Sequence, residues 1–245
     1  GRCAMTGHRR QERIGPLMRS VLRGASGVRT LAAVPAEDCA AALGLSGVTV
    51  STLASDGSAE LLWYARADRL GIALEDLQYT LGEGPTPDVA VQGRPVLEGD
   101  IARMPPSRWP LFLPDALHTG AAAVFALPLR IGAILYGVFT GYRTASGPLT
   151  AQQLRGALAF TDLTVLLLDH RAGAPYLPES AADLDTLHRA EVHQATGLLS
   201  ARLDIPLDHA LVRLRAYAYC HTQPLLEVAR DVIHRHSRLD EDTSA

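Results

Sequence analysis

The sequence predicts an α+β domain, with a largely antiparallel sheet flanked by helices, followed by an all-α bundle of three helices. Two nearly continuous apolar segments, 122–130 and 133–143, indicate central strands covered on both faces. An Asp-Gly turn between two short strand-like runs indicates a hairpin within 47–66. Residues 184–236 instead repeat apolar residues every three or four positions, which is typical of amphipathic helices. Strands mixed with helices, then helices alone, give this fold class.

Composition bounds the kinds of site that the chain can carry. Its 245 residues suit one large or two ordinary domains. Cys3, Cys39 and Cys220 are far apart, which supports neither a zinc site nor a disulfide framework. No apolar run approaches the roughly 18 residues of a membrane span, and the charged N-terminus lacks a signal-peptide stretch. We therefore expect a cytoplasmic protein with no metal, cofactor or membrane partner.

Residues 1–36 are predicted to form a basic helix and a lead-in. The helix covers 9–23, and residues 1–30 hold seven Arg against one acid, Glu12. The Arg side chains can contact nucleic acid or an acidic partner, or the helix can simply pack on the next domain with its charges in solvent. Its apolar face consists of Ile14, Leu17, Met18, Val21 and Leu22.

The first half of the α+β domain follows in order. A helix is predicted at 37–45, a strand at 47–54 that alternates Val48, Val50 and Thr52 with smaller residues, and a second strand at 60–66. The periodicity then predicts a helix over 68–81. Its inward stripe is Leu70, Ala73, Leu74, Leu77 and Leu81.

The second half begins with a Gly-rich break at 82–85. One helical turn at 87–91, a short strand at 94–97 and a helix at 108–118 are predicted next. The two long strands are joined by a tight turn at Ile131-Gly132. A long helix capped by Thr150 then runs to about Asp169.

These segments resemble a known family of domains. Residues 74–100, which contain the Gly-Glu-Gly-Pro run, then 108–112 and 123–143 are similar to the GAF domains of bacterial regulators. The resemblance spans about 37–170 and implies a domain that senses a ligand and dimerises, without catalysis. Many relatives have Cys after the Gly-Glu-Gly-Pro run. Here Thr86 occupies that position, which removes thiol chemistry there.

The signal for such a domain is an unknown small molecule or protein. Candidate ligand-binding residues are chosen for loop position and for polarity near apolar strands. They are Tyr79, Glu83, Asp100, Trp109 and Phe125.

A linker at 171–180 separates the two domains, and the second covers 181–238 with a tail at 239–245. Its first helix runs from about 181 to 203, with Ser180 or Asp183 as its cap. Gly197 within this helix suggests close approach of a neighbouring helix or of a ligand. Pro206 and Pro224 are placed in the first turns of the second and third helices, with Thr222 or Gln223 capping the third. The predicted inward residues are Leu184, Leu187, Ala195, Leu198, Leu199, Leu207, Ala210, Leu211, Leu214, Ala218, Leu225, Val228, Ala229, Val232 and Ile233.

The three helices carry candidate contacts to RNA. Arg213 and Arg215 flank the buried stripe, where a guanidinium can donate paired hydrogen bonds to phosphate, or can bind Asp208 or water instead. Tyr219 or His221 can stack on an unpaired base, although a tyrosine in a helix is often part of the core. Residues 184–238 hold seven Arg, six acids and six of the nine His, so no strongly basic surface is predicted.

The spacing of small and apolar residues in these helices is similar to the ANTAR domain, an RNA-binding helical module of bacterial antitermination regulators. The matching positions are Ala195 and Gly197, then Ala210, Leu214 and Arg215, then Leu225 and Ala229. The resemblance makes Arg215 the foremost RNA-binding candidate. The other candidates are Thr196, Gly197, Arg202, Arg213, Tyr219 and His221.

The resemblance implies a homodimeric transcription antitermination regulator that is not an enzyme. Its ANTAR-like modules would hold RNA stem-loops, and its GAF domain would respond to a signal. Three alternatives stay open at this point. Three short helices also fit a DNA-binding protein. Some GAF-fold proteins are reductases that use clustered Cys, although the three Cys here lie in different regions. A protein-interaction scaffold that has lost RNA binding would fit the neutral charge.

Overall fold

The computed structural model describes Leu31 and residues 34–54, 58–169 and 183–234. The predicted N-terminal helix, most of the turn at 55–58, the linker at 171–180 and the tail at 239–245 lie outside these residues. The chain divides into two compact units, and the main division falls between Tyr176 and Leu177. The domain boundaries themselves stay predictions. Within the described residues, no helix combines the length and the apolar character needed to cross a bilayer.

The first unit contains a five-stranded sheet in which every neighbouring pair is antiparallel, as predicted. Its strand order is β2-β1-β5-β4-β3. The strands are β1 Gly47–Leu53, β2 Ala59–Tyr64, β3 Val96–Glu98, β4 Ala123–Ile131 and β5 Ile134–Arg143. The predicted hairpin of β1 and β2 is confirmed, and the two long apolar strands β4 and β5 do lie inside the sheet. All residues of β5 from Gly137 to Tyr142 are buried.

Among residues 34–54 and 58–169, five helices and one short 3₁₀ turn accompany the sheet. They are α1 Ala36–Leu43, α2 Arg69–Leu81, α3 Pro85–Gln92, the 3₁₀ turn Ile101–Arg103, α4 Phe112–His118 and α5 Ala151–Asp169. The five helices were all predicted as segments, but α1 ends at Leu43 rather than at residue 45, and the bounds of α3, α4 and the β4–β5 turn also differ. Helix α3 has two turns rather than one because Pro85 suits its first position. Helix α4 begins after Pro110, since the residue before a proline disfavours helix. Ile131 pairs with Ile134, so the turn consists of Gly132 and Ala133.

Helices α1 and α5 cover one face of the sheet. The core between them is aromatic at its centre, where Phe160 of α5 lies 5.5 Å, ring to ring, from both Trp63 and Phe139. Trp63 also donates from Nε1 to the Val34 carbonyl oxygen at 2.9 Å. The buried apolar members of this core include Ala36, Cys39, Leu43, Val48, Val50, Phe125, Leu127, Leu129, Ala157 and Leu163.

Arg143, at the end of β5, connects α1, the sheet and α5. Its Nε donates to the Gly44 carbonyl at 2.9 Å, and one terminal nitrogen donates to Gln153 Oε1 at 2.8 Å. Burial lowers the pKa of this guanidinium from its usual value. The predicted cap of α5 is confirmed, because Gln153 N donates to Thr150 Oγ1 and Thr150 N donates back to the Gln153 side chain.

Residues 183–234 of the second unit form three helices, as the periodicity predicts: α6 Asp183–Leu203, α7 Leu207–Cys220 and α8 Leu225–Ile233. Leu207 was predicted to be buried, but its side chain is 43% exposed because it is the first residue of α7. The apolar interior shared by the three helices consists of Val192, Ala195, Leu199, Ala210, Leu211, Leu214, Ala218, Leu225, Val228, Ala229 and Val232.

The predicted caps of α7 and α8 need correction. Pro206 and Pro224 are the N-cap residues rather than members of the first turns, and neither cap uses a side-chain hydrogen bond. Thr222 has a left-handed backbone with φ of 53°, which places it in the turn between helices instead of at the cap. The proline side chain has no acceptor atom, so it cannot cap the N–H groups of the first turn.

Cys39 and Cys220 should differ sharply in reactivity. Cys39 is 2% exposed, and burial raises its thiol pKa from 9.0 to about 12, whereas Cys220 is exposed. We expect alkylation of the folded protein at about pH 8 to modify Cys220 and to spare Cys39, because the thiolate is the reactive form. Peptide mass spectrometry after a timed iodoacetamide pulse would measure this.

The urea-unfolded protein is the control, since both thiols should react there. Rapid labelling of Cys39 in the folded protein would contradict the expectation. The same pKa has a consequence for stability. Because the folded thiol holds its proton more tightly, its contribution to the free energy of unfolding is complete below about pH 9. That contribution declines as the pH rises from 9.0 toward about 12.

Candidate functional site

The five ligand-binding candidates do not converge on one place. Phe125 is 2% exposed and belongs to the core under α1 and α5. Glu83 Oε2 accepts from the backbone N–H groups of Leu111 and Phe112 at 2.8 and 3.2 Å, so it holds the start of α4. Asp100 Oδ1 caps the 3₁₀ turn by accepting from Ala102 N.

The remaining two candidates, Trp109 and Tyr79, are buried, at 1% and 8% exposure. Trp109 donates from its indole to Asp88 Oδ2 at 3.1 Å and packs edge-on against Phe112. Its contacts are therefore those of a core residue. Tyr79 lies on α2, on the same side of that helix as a set of buried polar residues that the sequence did not predict.

These buried polar residues, here called the polar cluster, lie between the sheet and helices α2 and α3. Each of them is less than 5% exposed. They come from four separate elements: two from β1, one from β5, two from α2 and one from α3. The members are Thr49, Ser51, Thr140, Glu75, Gln78 and Thr86.

Alternation along β1 explains why polar residues collect on this face. Val48 and Val50 belong to the core under α1 and α5, so the alternate residues Thr49 and Ser51 point to the opposite face. Thr140 pairs directly with Thr49 across the antiparallel ladder, which puts both hydroxyls on that same face.

Hydrogen bonds connect the cluster from one side to the other. Thr49 Oγ1 donates to Glu75 Oε1 at 2.7 Å. The hydroxyls of Thr86 and Thr140 are 2.9 Å apart, and Thr86 N donates to Gln78 Oε1 at 2.7 Å. The cluster thus holds α2 against β1 and α3 against β5 through polar contacts, whereas the contacts in a protein core are ordinarily apolar.

Ser51 differs from the other members of the cluster. Its Oγ is buried and finds no hydrogen-bond partner among the described residues. A buried hydroxyl without a partner costs free energy, so such a group is informative when it lies beside other polar groups. Within the polar cluster, the Ser51 hydroxyl is therefore the group whose hydrogen-bonding capacity the described residues leave unused.

The start of α2 is anchored by Asp68, which helps to place Glu75 and Gln78. Asp68 Oδ1 accepts from Gly71 N at 2.9 Å, and Oδ2 accepts from the Tyr142 hydroxyl. Burial raises the pKa of the Asp68 carboxyl, while the hydrogen bond from Gly71 lowers it. Helix α2 is therefore fixed to β5 at its first turn.

The predicted inward stripe of α2 is mostly wrong. Only Leu74 of its five residues is fully buried, and the helix is rotated so that Glu75, Gln78 and Tyr79 face inward. The apolar periodicity was ambiguous because leucines occur on both sides of the helix. The sequence did contain one signal for the polar cluster. Glu75 and Gln78 are three positions apart, so they share one face of a helix that was expected to flank the sheet.

In the second unit, burial argues against one RNA-binding candidate, and another has surroundings that differ from the expected close packing. Thr196 is 1% exposed and donates from Oγ1 to the Val192 carbonyl at 2.7 Å, so it lies inside the helical packing and is not accessible to RNA. Gly197 was expected to lie close to another backbone or to a ligand. A Cβ built there meets nothing within 4 Å, so the position has open space.

The other candidates reach the surface to different degrees. Tyr219 is 58% exposed, which rules out the core interpretation for this tyrosine. His221 is exposed, and its ring stacks on Tyr217 at 3.9 Å between centroids. Arg202 donates to the Val232 carbonyl at 3.5 Å and keeps an exposed side chain, whereas Arg213 and Arg215 are both half-buried.

Comparison with known proteins identifies the fold of the first unit. No protein-family model and no curated protein matches the sequence. Among solved structures, the GAF domain of an Acinetobacter phosphoenolpyruvate-protein phosphotransferase is similar with a TM-score of 0.50 and 8% identity, over 68% of this chain and 96% of that chain. The corresponding domain from Coxiella burnetii gives 0.48 and 13%, over 67% and 97%. A phycocyanobilin-bound GAF domain from a cyanobacterial phytochrome gives 0.47 and 12%, over 66% and 98%. The first unit has a GAF fold.

Proposed function

We propose that this protein is a signal-responsive, RNA-binding regulator of transcription antitermination. The GAF unit senses the signal and dimerises, and helices α6–α8 bind paired stem-loops in nascent RNA. The observation that carries the proposal is the order of the chain: a GAF fold is followed by three helices with ANTAR-like spacing. The apolar positions of that spacing, Ala195, Ala210, Leu214, Leu225 and Ala229, are all buried where the three helices meet.

The burial of these positions supports the register of the resemblance. A chance match of small and apolar residues would scatter around the three helices, whereas these residues occupy their common interior. The same register assigns Arg215 to the flank of α7, and Tyr219 follows one turn later on that helix with most of its ring in solvent. An exposed tyrosine beside arginines suits a looped RNA, because it can stack on an unpaired base while guanidinium groups contact phosphate.

In the first unit, we propose that the polar cluster receives the signal. The unpartnered Ser51 hydroxyl and the surrounding donors and acceptors favour a small polar ligand over an apolar one. A bound ligand would shift α2 and α3 relative to β1 and β5, and α5 and the linker would carry that change to the second unit. Such coupling requires that the ligand bind one of two states of the protein more tightly than the other.

Binding of the purified protein to a two-stem-loop RNA and to duplex DNA of equal length, across a salt series, tests this function. We expect preferential RNA binding that weakens with salt, because phosphate neutralisation releases counterions. Tyr219→Ala should weaken RNA binding by about 1–3 kcal/mol if the ring stacks on a base. Arg215→Ala should weaken it as well and lower the salt slope by about one.

Arg230→Ala is the matched control. Arg230 lies on α8 and forms an ion pair with Glu191 at 2.7 Å, so its loss removes an arginine from the same unit without touching the proposed surface. Circular dichroism must show that each variant keeps its helices. If Arg230→Ala and Arg215→Ala weakened RNA binding equally, the loss would reflect the removal of one positive charge and not a specific contact by Arg215. Preference for duplex DNA would identify a DNA-binding regulator instead, and a folded protein that binds neither nucleic acid would support the scaffold alternative.

A further inference from the structure

The imidazole ring of His221 is held in one orientation at the end of α7, although the side chain is exposed. The ring stacks on that of Tyr217, one helical turn earlier, with 3.9 Å between centroids and 21° between planes. Its Nδ1 lies 2.9 Å from the Tyr217 carbonyl oxygen. The stack and the hydrogen bond involve the same residue, so together they fix both the position and the rotation of the ring.

The partner of Nδ1 also determines where the ring carries its hydrogen. A carbonyl oxygen can only accept a hydrogen bond, so Nδ1 must be the donor and must carry hydrogen. In the neutral ring, Nε2 is then the nitrogen without hydrogen, and it is the atom that binds a proton when the ring becomes charged. Because Nδ1 keeps its hydrogen in both forms, the charge can change while the ring stays in place.

The Nε2 atom of His221 has no hydrogen-bond or ion-pair partner within residues 34–54, 58–169 and 183–234. Among the same residues, Tyr217 is the titratable group that touches the ring. The charged and titratable side chains of the two neighbouring helices form neither a hydrogen bond nor an ion pair with it. Those side chains are Arg189, Glu191 and His193 on α6 and Glu227, Arg230 and Asp231 on α8. A proton on Nε2 therefore adds a positive charge that none of these carboxylates pairs with.

One added charge is significant in this unit because its own charges nearly cancel. Residues 184–238 hold seven Arg and six acids, together with six of the nine His. Arg and acids alone leave one excess positive charge, which protonation of His221 would double. Attraction between a protein and RNA phosphates comes mainly from positive charge, so the protonation state of a histidine in this unit should affect RNA binding.

We infer that His221 is a proton-dependent phosphate contact, through which RNA binding by the second unit tightens as the pH falls. The protonated Nε2–H donates a charge-assisted hydrogen bond to a phosphate oxygen, whereas the neutral Nε2 presents a lone pair that a phosphate repels. Histidine side chains ordinarily change charge between pH 5 and 8, so the contact responds to changes near neutrality. The inference rests on the proposed function and adds a way in which acidity regulates it.

The contact made by His221 is separate from the one proposed for Tyr219. Two residues along a helix turn through about 200°, so the two side chains leave α7 on different sides. They would therefore contact different nucleotides of one RNA. Stacking of a base on the Tyr219 ring does not require a proton, so Tyr219→Ala should weaken binding by the same factor at about pH 6 and about pH 8.

Binding of the full chain to the two-stem-loop RNA between about pH 6 and about pH 8, at several salt concentrations, tests the inference. We expect the dissociation constant to rise about five- to tenfold over this range, and the salt slope to fall by about 0.7–0.9 as one phosphate contact is lost. His221→Gln should bind at about pH 6 as the unsubstituted protein binds at about pH 8. His221→Arg keeps its charge and should bind tightly throughout.

His209→Gln is the matched control for these variants. His209 is an exposed histidine in the first turn of α7, and its replacement should leave the full pH dependence in place. Circular dichroism at each pH must show that the helices are retained. Equal pH dependence in the unsubstituted protein and in His221→Gln would overturn the inference, as would loss of the pH dependence in His209→Gln.

Nitrogen-15 NMR of the histidine rings, without RNA, tests the geometry independently. The neutral form of His221 should carry its hydrogen on Nδ1, and a hydrogen on Nε2 instead would overturn the inference. RNA binding that is insensitive to residue 221 at every pH would overturn this inference and leave the proposed function standing. Absence of RNA binding from about pH 6 to about pH 8 would overturn both.

Discussion

Replacement of Gly137 by alanine should destabilise the first unit by about 3 kcal/mol or more, a large effect for the addition of one methyl group. Gly137 lies in β5, where it pairs with Thr52 of β1 and Leu129 of β4. An added Cβ would overlap the Ser51 carbonyl oxygen and lie 3.0 Å from its carbon and 3.1 Å from Thr52 Cα. These are backbone atoms of a neighbouring strand, so they cannot move aside as a side chain would.

Urea unfolding followed by tryptophan fluorescence would measure this change. Both tryptophans, Trp63 and Trp109, lie in the first unit, so the signal reports on that unit. Gly132→Ala, in the turn before β5, is the control because it separates two causes. Its φ of 58° strains a side chain, but nothing lies within 4 Å of the added Cβ, so a cost of about 1 kcal/mol is expected. Equal effects of the two substitutions would exclude backbone overlap as the cause.

Thr49→Val should lower the free energy of unfolding by about 1–3 kcal/mol, although valine has the same shape and favours strands. The reason is the polar cluster: Thr49 donates its hydroxyl proton to Glu75 Oε1 at 2.7 Å, and both residues are buried. Removing the hydroxyl takes away a donor from a carboxyl group that water reaches poorly. The desolvation cost of the carboxyl then has less to offset it.

Thr52→Val makes the same chemical change three residues along β1, where the side chain is half-buried and lies outside the polar cluster. We expect it to change stability by no more than about 0.5 kcal/mol. The same fluorescence-detected urea titration applies to both variants. If Thr49→Val proved as mild as Thr52→Val, the hydrogen bond to Glu75 would not contribute to holding α2 on the sheet.

Local patterns were sufficient for the elements of the GAF unit. Period-two alternation and the Asp-Gly turn located β1 and β2, and continuous apolar character identified β4 and β5 as inner strands. Each of these signals depends on the residue and its immediate neighbours, which is why the sequence carries it. Boundaries at Pro85 and Pro110 shifted because proline constrains both itself and the residue before it.

The polar cluster was not found in advance because it joins residues that are distant along the chain. Thr49, Glu75, Thr86 and Thr140 meet only after β5 lies beside β1 and the two helices cover the sheet. The rotation of α2 was equally hidden. Leucines on both of its sides permitted two orientations, and contact with the sheet selects the one that buries Glu75 and Gln78.

The sequence by itself determined the order of elements, the antiparallel class of the sheet and the three amphipathic helices of the second unit, since hydrophobic periodicity and turn residues are local properties. Only the tertiary structure decided which side chains are accessible. It buried Thr196, exposed Tyr219, and left Gly197 with open space around it. It also assembled the polar cluster, because burial is a property of how elements pack against one another.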